Sequence, residues 1–115
     1  MATSITIRGY ISHIDEKNII LDGCDPSVWK VLPASYFAKN IRKRVSGDLK
    51  TCTIRITKST TCMKGPRAEL VSVDNMQSCY VSVMAVIKKY KFRAGTQNIE
   101  GWCITAHHIR TIQIA

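Results

Sequence analysis

The chain has 115 residues, 45% apolar and 22% charged, ordinary proportions for one soluble domain of about 100–150 residues. Its longest apolar run, Val83 to Ile87, falls far short of the roughly 20 residues a membrane helix requires, and the N-terminus shows no basic-then-apolar secretory pattern. Charge stands apart: 17 Lys and Arg against 8 Asp and Glu give a formal +9, a balance that favours polyanionic partners.

In chain order, residues 3–14 place Ile5, Ile7 and Ile11 on one parity and Arg8, Tyr10 and Ser12 on the other. That period of two predicts a strand with one wet face, and Gly9 within it predicts a bulge or bend. Residues 15–18 read as a turn into a strand at 19–21, residues 22–26 as a break, and 28–32 as a third short strand. Residues 34–45 change period: Ala34, Phe37, Ala38, Ile41 and Val45 share a helical face, with Pro33 suited to the start and Ser46-Gly47 to the stop. The opposite face carries Lys39, Arg42, Lys43 and Arg44, read as a solvated face that steers a polyanion. Strand character returns at 51–57, residues 59–67 read as a loop, and 68–73 as a short strand. A long strand follows over 79–93, then a hairpin loop at 94–98 and a last strand over 102–114, broken near His107-His108. The whole is one mainly β domain over residues 1–115, about six strands and one helix, in the element order of a small OB-like β-barrel. Period alone also fits a small sandwich.

The positive charge is concentrated. Residues 39–67 hold nine bases and one acid, and residues 88–93 hold four bases and no acid. Catalytic signatures are missing by contrast: the sequence has no phosphate-binding glycine loop, nucleophile elbow, paired-histidine helix or carboxylate cluster, so a non-enzyme without cofactor is expected. Asp22 and Asp25 read as turn residues. The cysteines at 24, 52, 62, 79 and 103 contain no Cys-x-x-Cys spacing, so they read as reduced core thiols of an intracellular protein, not as zinc ligands. Strand parity puts His107 and His108 on opposite faces, which also argues against a metal site.

Binding an unstacked nucleic-acid strand takes cations along the backbone path and flat rings for the bases. Lys88, Lys89, Tyr90, Lys91, Phe92 and Arg93 supply both within six residues. Strand parity groups Lys88, Tyr90 and Phe92 on one face, and Lys89, Lys91 and Arg93 on the other. Arg8 and Tyr10 form a second such pair on the wet face of the first strand. Arg55, between Ile54 and Ile56, has the same outward parity; if those strands are neighbours, Arg8, Tyr10, Arg55 and Lys58 form one continuous face. Trp29 and Trp102 read as core residues before platforms. The loop bearing Lys58, Lys64 and Arg67 reads as a basic flap over a bound strand.

The segment Tyr80 to Arg93, followed by Gly101-Trp-Cys-Ile-Thr-Ala-His-His-Ile109, resembles the closing hairpin of viral and phage-type single-stranded DNA-binding proteins with an OB-fold. The resemblance covers about a third of the chain. It implies a protein that coats single-stranded DNA in replication or recombination, often as a homo-oligomer, with Lys89, Tyr90, Lys91 and Phe92 as contacts. Bacterial housekeeping members carry an acidic tail, which residues 111–115 do not match. RNA as the ligand, and a structural or adaptor protein that self-assembles or binds an acidic partner, are the alternative readings.

Overall fold

The computed structural model describes residues 3–24 and 51–112. Among these residues seven strands form one sheet: β1 (Thr3–Ile14), β2 (Asn18–Asp22), β3 (Cys52–Arg55), β4 (Thr61–Lys64), β5 (Glu69–Leu70), β6 (Tyr80–Ala94) and β7 (Gln97–Thr111). A short 3-10 turn at Val73–Met76 precedes β6. The expected strand at 28–32, the helix at 34–45 and residues Asp25 and Trp29 lie outside the described residues. Among those described, no helix is long and apolar enough to cross a membrane.

Five strands close on themselves. β1 pairs antiparallel with β2 and with β6, β2 with β3, and β6 with β7, while a parallel contact at Arg55 and Thr105 joins β3 to β7. Alternation drives the closure, because each strand turns one parity of apolar residues inward. Ile5, Ile7 and Ile11 of β1, Ile19 and Leu21 of β2, Cys52 and Ile54 of β3, and Val81, Val83, Ala85 and Ile87 of β6 are all buried. Met76 of the 3-10 turn joins this core. Beyond Thr105, the same edge of β7 pairs in parallel with β4, and β5 flanks β4 in turn.

Several expectations need correction. Gly9 is not at a bulge: its partner Val81 continues the ladder, and the register shift falls between Ile11 and His13. The glycine is needed for close approach, since a Cβ there would lie 2.8 Å from the carbonyl oxygen of Asp22. Within the expected loop 59–67, Thr61–Lys64 is strand β4, because buried Cys62 packs in the core while its backbone pairs with β7. The expected loop 94–98 contracts to a two-residue turn: Ala94 pairs with Gln97, and Gly95 takes φ 64°.

The break near His107 is a bulge, not an end. Met84 stands opposite His108 and Ala85 opposite Ala106, which leaves His107 as the extra residue. Inward parity therefore jumps from Ala106 to Ile109, both buried. His107 and His108 both fall between these inward residues, so the opposite-face expectation does not hold.

β6 and β7 outrun the ring. Pairing with β1 ends at Thr3 opposite Ile87, and from Lys88 to Ala94 β6 pairs only with Gln97–Cys103 of β7 among the described residues. Seven residues a side make an arm about 23 Å long at the usual rise of about 3.3 Å per residue.

Candidate nucleic-acid interface

Where the arm leaves the ring there is a groove of about 380 Å³. Lys17 and Asn18 from the β1–β2 turn, Arg55 of β3, Lys88 and Lys89 of β6, and Cys103 and Thr105 of β7 line it. Four of these seven residues are cationic and none is acidic, so among the described residues the groove wall is positive and holds no acid to oppose an anion.

Local chemistry fixes each wall. The Asp15 carboxylate accepts backbone N–H bonds from Lys17 and Asn18, each at 2.8 Å, and the Asp15 N–H donates to the Asn18 carbonyl at 2.9 Å. Those amides, Lys17 first and then Asn18, hold the Asp15 carboxyl below its ordinary value, with a smaller contribution from His13. The Ile56 N–H donates to the Lys17 carbonyl at 2.8 Å and ties the turn to the end of β3. Arg55 stands opposite Asn18 on one side and Thr105 on the other. Lys89 has the parity of the core residue Ile87, but the ring has ended by then, so its side chain is exposed at the arm's base.

Of the residues expected from sequence, Arg55, Lys88 and Lys89 thus meet in one groove. Lys91 and Arg93 are exposed further along the arm, with Lys91 in register with Glu100 and Arg93 with Asn98. The ladder sets Tyr90 opposite Gly101 and Phe92 opposite Ile99, while the side chains of Tyr90, Phe92 and Trp102 lie outside the described residues. Lys58 is exposed in the turn after β3, where the Thr60 hydroxyl donates to the Ala106 carbonyl at 2.7 Å, and it does not line the groove.

Arg8 and Tyr10 lie elsewhere. β2 separates β1 from β3, and its ladder with β1 runs from Tyr10–Asp22 at one end to Ile14–Ile19 at the other. Arg55 opposes Asn18, at the far end from Arg8. The continuous face of Arg8, Tyr10, Arg55 and Lys58 therefore does not form. Instead Tyr10 packs against Tyr80, with ring centroids 4.9 Å apart and planes at 59°.

Lys17, Asn18, Cys103 and Thr105 of the groove escaped the sequence reading. Lys17 sits in a segment that reads as a plain turn, and only the ring brings that turn beside β3 and β6. Cys103 reads as a core thiol, yet it is half-buried on the outer parity and lines the groove, with Sγ 3.6 Å from the Thr105 hydroxyl. Counting outward from buried Ile104 is the signal that finds it. Cys24, Cys52 and Cys62 are buried as expected, and Cys79 is half-buried against the core. Burial, and secondarily the charge of Asp22, pushes the Cys24 thiol up to about 12, and burial also raises Cys62. No group of three His, Cys, Asp or Glu side chains is placed to hold a metal ion among the described residues.

No protein-family model and no curated protein matches the chain. Among solved structures, the single-stranded DNA-binding protein from bacteriophage Enc34 is similar at a TM-score of 0.45 and 12% sequence identity, over 96% of this chain and 78% of that one. A likeness that distant assigns neither family nor function, and the residues of the groove carry the functional reading.

Proposed function

We propose that this chain is a non-enzymatic single-stranded DNA-binding protein built on an OB-type ring, with little sequence preference. The observation that carries the reading is the groove at the base of the arm, where Lys17, Arg55, Lys88 and Lys89 converge from three separate elements with no acid among the described lining residues. Cations set along a groove neutralise successive phosphates whatever the base sequence, and the affinity they supply falls steeply with salt. The arm continues the cationic track through Lys91 and Arg93, and Tyr90 and Phe92 of the same arm are the stacking partners of the bases. The order β1-β2-β3-β7-β6, closed by one parallel contact, supports the OB-type assignment.

The test uses the chain's two tryptophans as reporters. Their fluorescence is followed while a dT oligonucleotide of about 16 nucleotides, within the range one OB fold covers, is added at two salt concentrations with duplex DNA and RNA as competitors. Tight binding that duplex does not displace, that weakens with salt and that falls in Arg55→Ala/Lys88→Ala supports the reading. Equal displacement by RNA makes the ligand single-stranded nucleic acid in general. No binding at low salt overturns it.

A further inference from the structure

Arg8 and Arg110 approach the same residue from opposite sides. Arg8 of β1 stands opposite Ser82 of β6, and Ser82 stands opposite Arg110 of β7. Buried Ile7, Val81, Val83 and Ile109 adjoin them in sequence, so all three side chains point out of the ring. With strands about 4.8 Å apart, the two arginine Cα atoms are about 10 Å from each other. Both arginines are exposed, and neither guanidinium has a hydrogen bond or ion pair among the described residues. One row further, Tyr10 stands opposite Tyr80. Tyr80 is half-buried and holds the Tyr10 ring on one side, a Cβ at Gly23 would lie 3.7 Å from that ring on another, and Tyr10 stays 45% exposed. The nearby Asp22 carboxylate is engaged by the Gly23 N–H at 2.8 Å and the Thr51 hydroxyl at 3.3 Å.

We infer that Tyr10, Tyr80, Arg8 and Arg110 form a second nucleotide-binding subsite, separate from the groove, which takes a stacked base on Tyr10 and phosphates between the two arginines. The inference rests on the single-strand reading of the groove and extends it, because one strand occupies both sites. A fixed, exposed ring is what stacking on an unpaired base requires, and guanidinium forks match phosphate oxygens. The two sites are linked along the outer parity of β6. From Lys88 at the groove to Ser82 between the arginines is six residues, about 20 Å. That span is about six nucleotides at a stacked spacing of about 3.4 Å. The outer residues between them, Val86 and Met84 on β6 with Thr6 and Thr105 alongside, carry no acid to repel the strand.

The experiment compares labelled dT oligonucleotides of about 4 and about 16 nucleotides, the lower and upper site sizes of one OB fold, by fluorescence anisotropy. The shorter strand fills the groove alone, and its affinity is expected to stay unchanged in Tyr10→Ala and in Arg8→Gln/Arg110→Gln. The longer strand is expected to bind more tightly than its extra binding registers explain, and to lose about 10-fold in each of those variants, in line with one lost stacked base for Tyr10→Ala and with lost phosphate contacts for the arginine pair. Tyr10→Phe, which keeps the ring, is expected to retain wild-type affinity for it. Unchanged binding of the short strand shows that the variants are folded. A long strand with no excess affinity, or one indifferent to all three substitutions, overturns the second subsite and leaves the groove standing. Failure of the short strand to bind wild-type protein overturns the groove reading and this inference with it.

Discussion

Arg55 stands opposite Thr105 at the contact where β3 meets β7. The residue that closes the ring therefore also delivers a cation to the groove, so this wall of the groove is set by the closure itself. Neighbouring Ile54 is fully buried, which fixes the strand's rotation and keeps the guanidinium outside.

Arg55→Ala is expected to weaken single-strand binding and to reduce the slope of log affinity against log salt by about 0.7, the share of one phosphate contact on a single strand. Lys88→Ala has the same effect, and the double variant loses about twice the slope. Titrations at four salt concentrations measure it. An unchanged slope in the double variant removes the groove from the phosphate path.

Cys103 reports occupancy of the groove. The thiol is half-buried and stands in register with Lys88, whereas Cys79 lies against the core. Alkylation followed by peptide mass spectrometry is expected to slow several-fold at Cys103 when a dT oligonucleotide is bound, with no change at Cys79. Equal rates at Cys103 with and without oligonucleotide place the strand elsewhere.

Gly9→Ala is expected to destabilise the fold by about 1–3 kcal/mol, the usual cost of overpacking. The new methyl would lie 2.8 Å from the Asp22 carbonyl oxygen and 3.1 Å from the Cys24 sulfur. Adding Cys24→Ala removes only the second clash, so urea unfolding of the double variant shows little recovery. Wild-type stability in the single variant contradicts the close approach of β1 to the end of β2.

Cys24 ties stability to alkaline pH. Its thiol is pushed from 9.0 up to about 12 by burial and then by Asp22, so the folded chain holds the proton more tightly than the unfolded one. The group's contribution is fully present below about pH 9 and drains as pH rises toward about 12. At about pH 10.5 it costs about 2 kcal/mol relative to pH 8. Urea midpoints at both pH values, in wild type and in Cys24→Ala, isolate it: wild type loses more stability than the variant. Parallel losses show that the thiol titrates alike in both states.

Much of the ring was legible in the residues. Ile5, Ile7 and Ile11 announce β1 by a period of two, because a strand alternates its faces whatever it pairs with, whereas β6 shows itself as the apolar run Val83 to Ile87. The strand course of the basic residues 88–93 was legible in the long strand read over 79–93, though not that it outruns the ring, and the turn at Asp15 was legible because its carboxylate bonds are local. β4 escaped because Thr61–Lys64 is four residues long and has one inward apolar side chain, too short a run to show a period.

By itself, the sequence determined the charge, its concentration in residues 39–67 and 88–93, the mainly β character and the parity of β1, all properties of composition or of near neighbours. Only the tertiary structure decided which cations share a site. Lys17 and Lys88 are 71 positions apart, and Arg55 lies between them in sequence on a third element. Ring closure through the Arg55–Thr105 contact brings these three together and keeps Arg8 from joining them. Local pattern says which way a side chain points, but pairing between distant strands decides what it points beside.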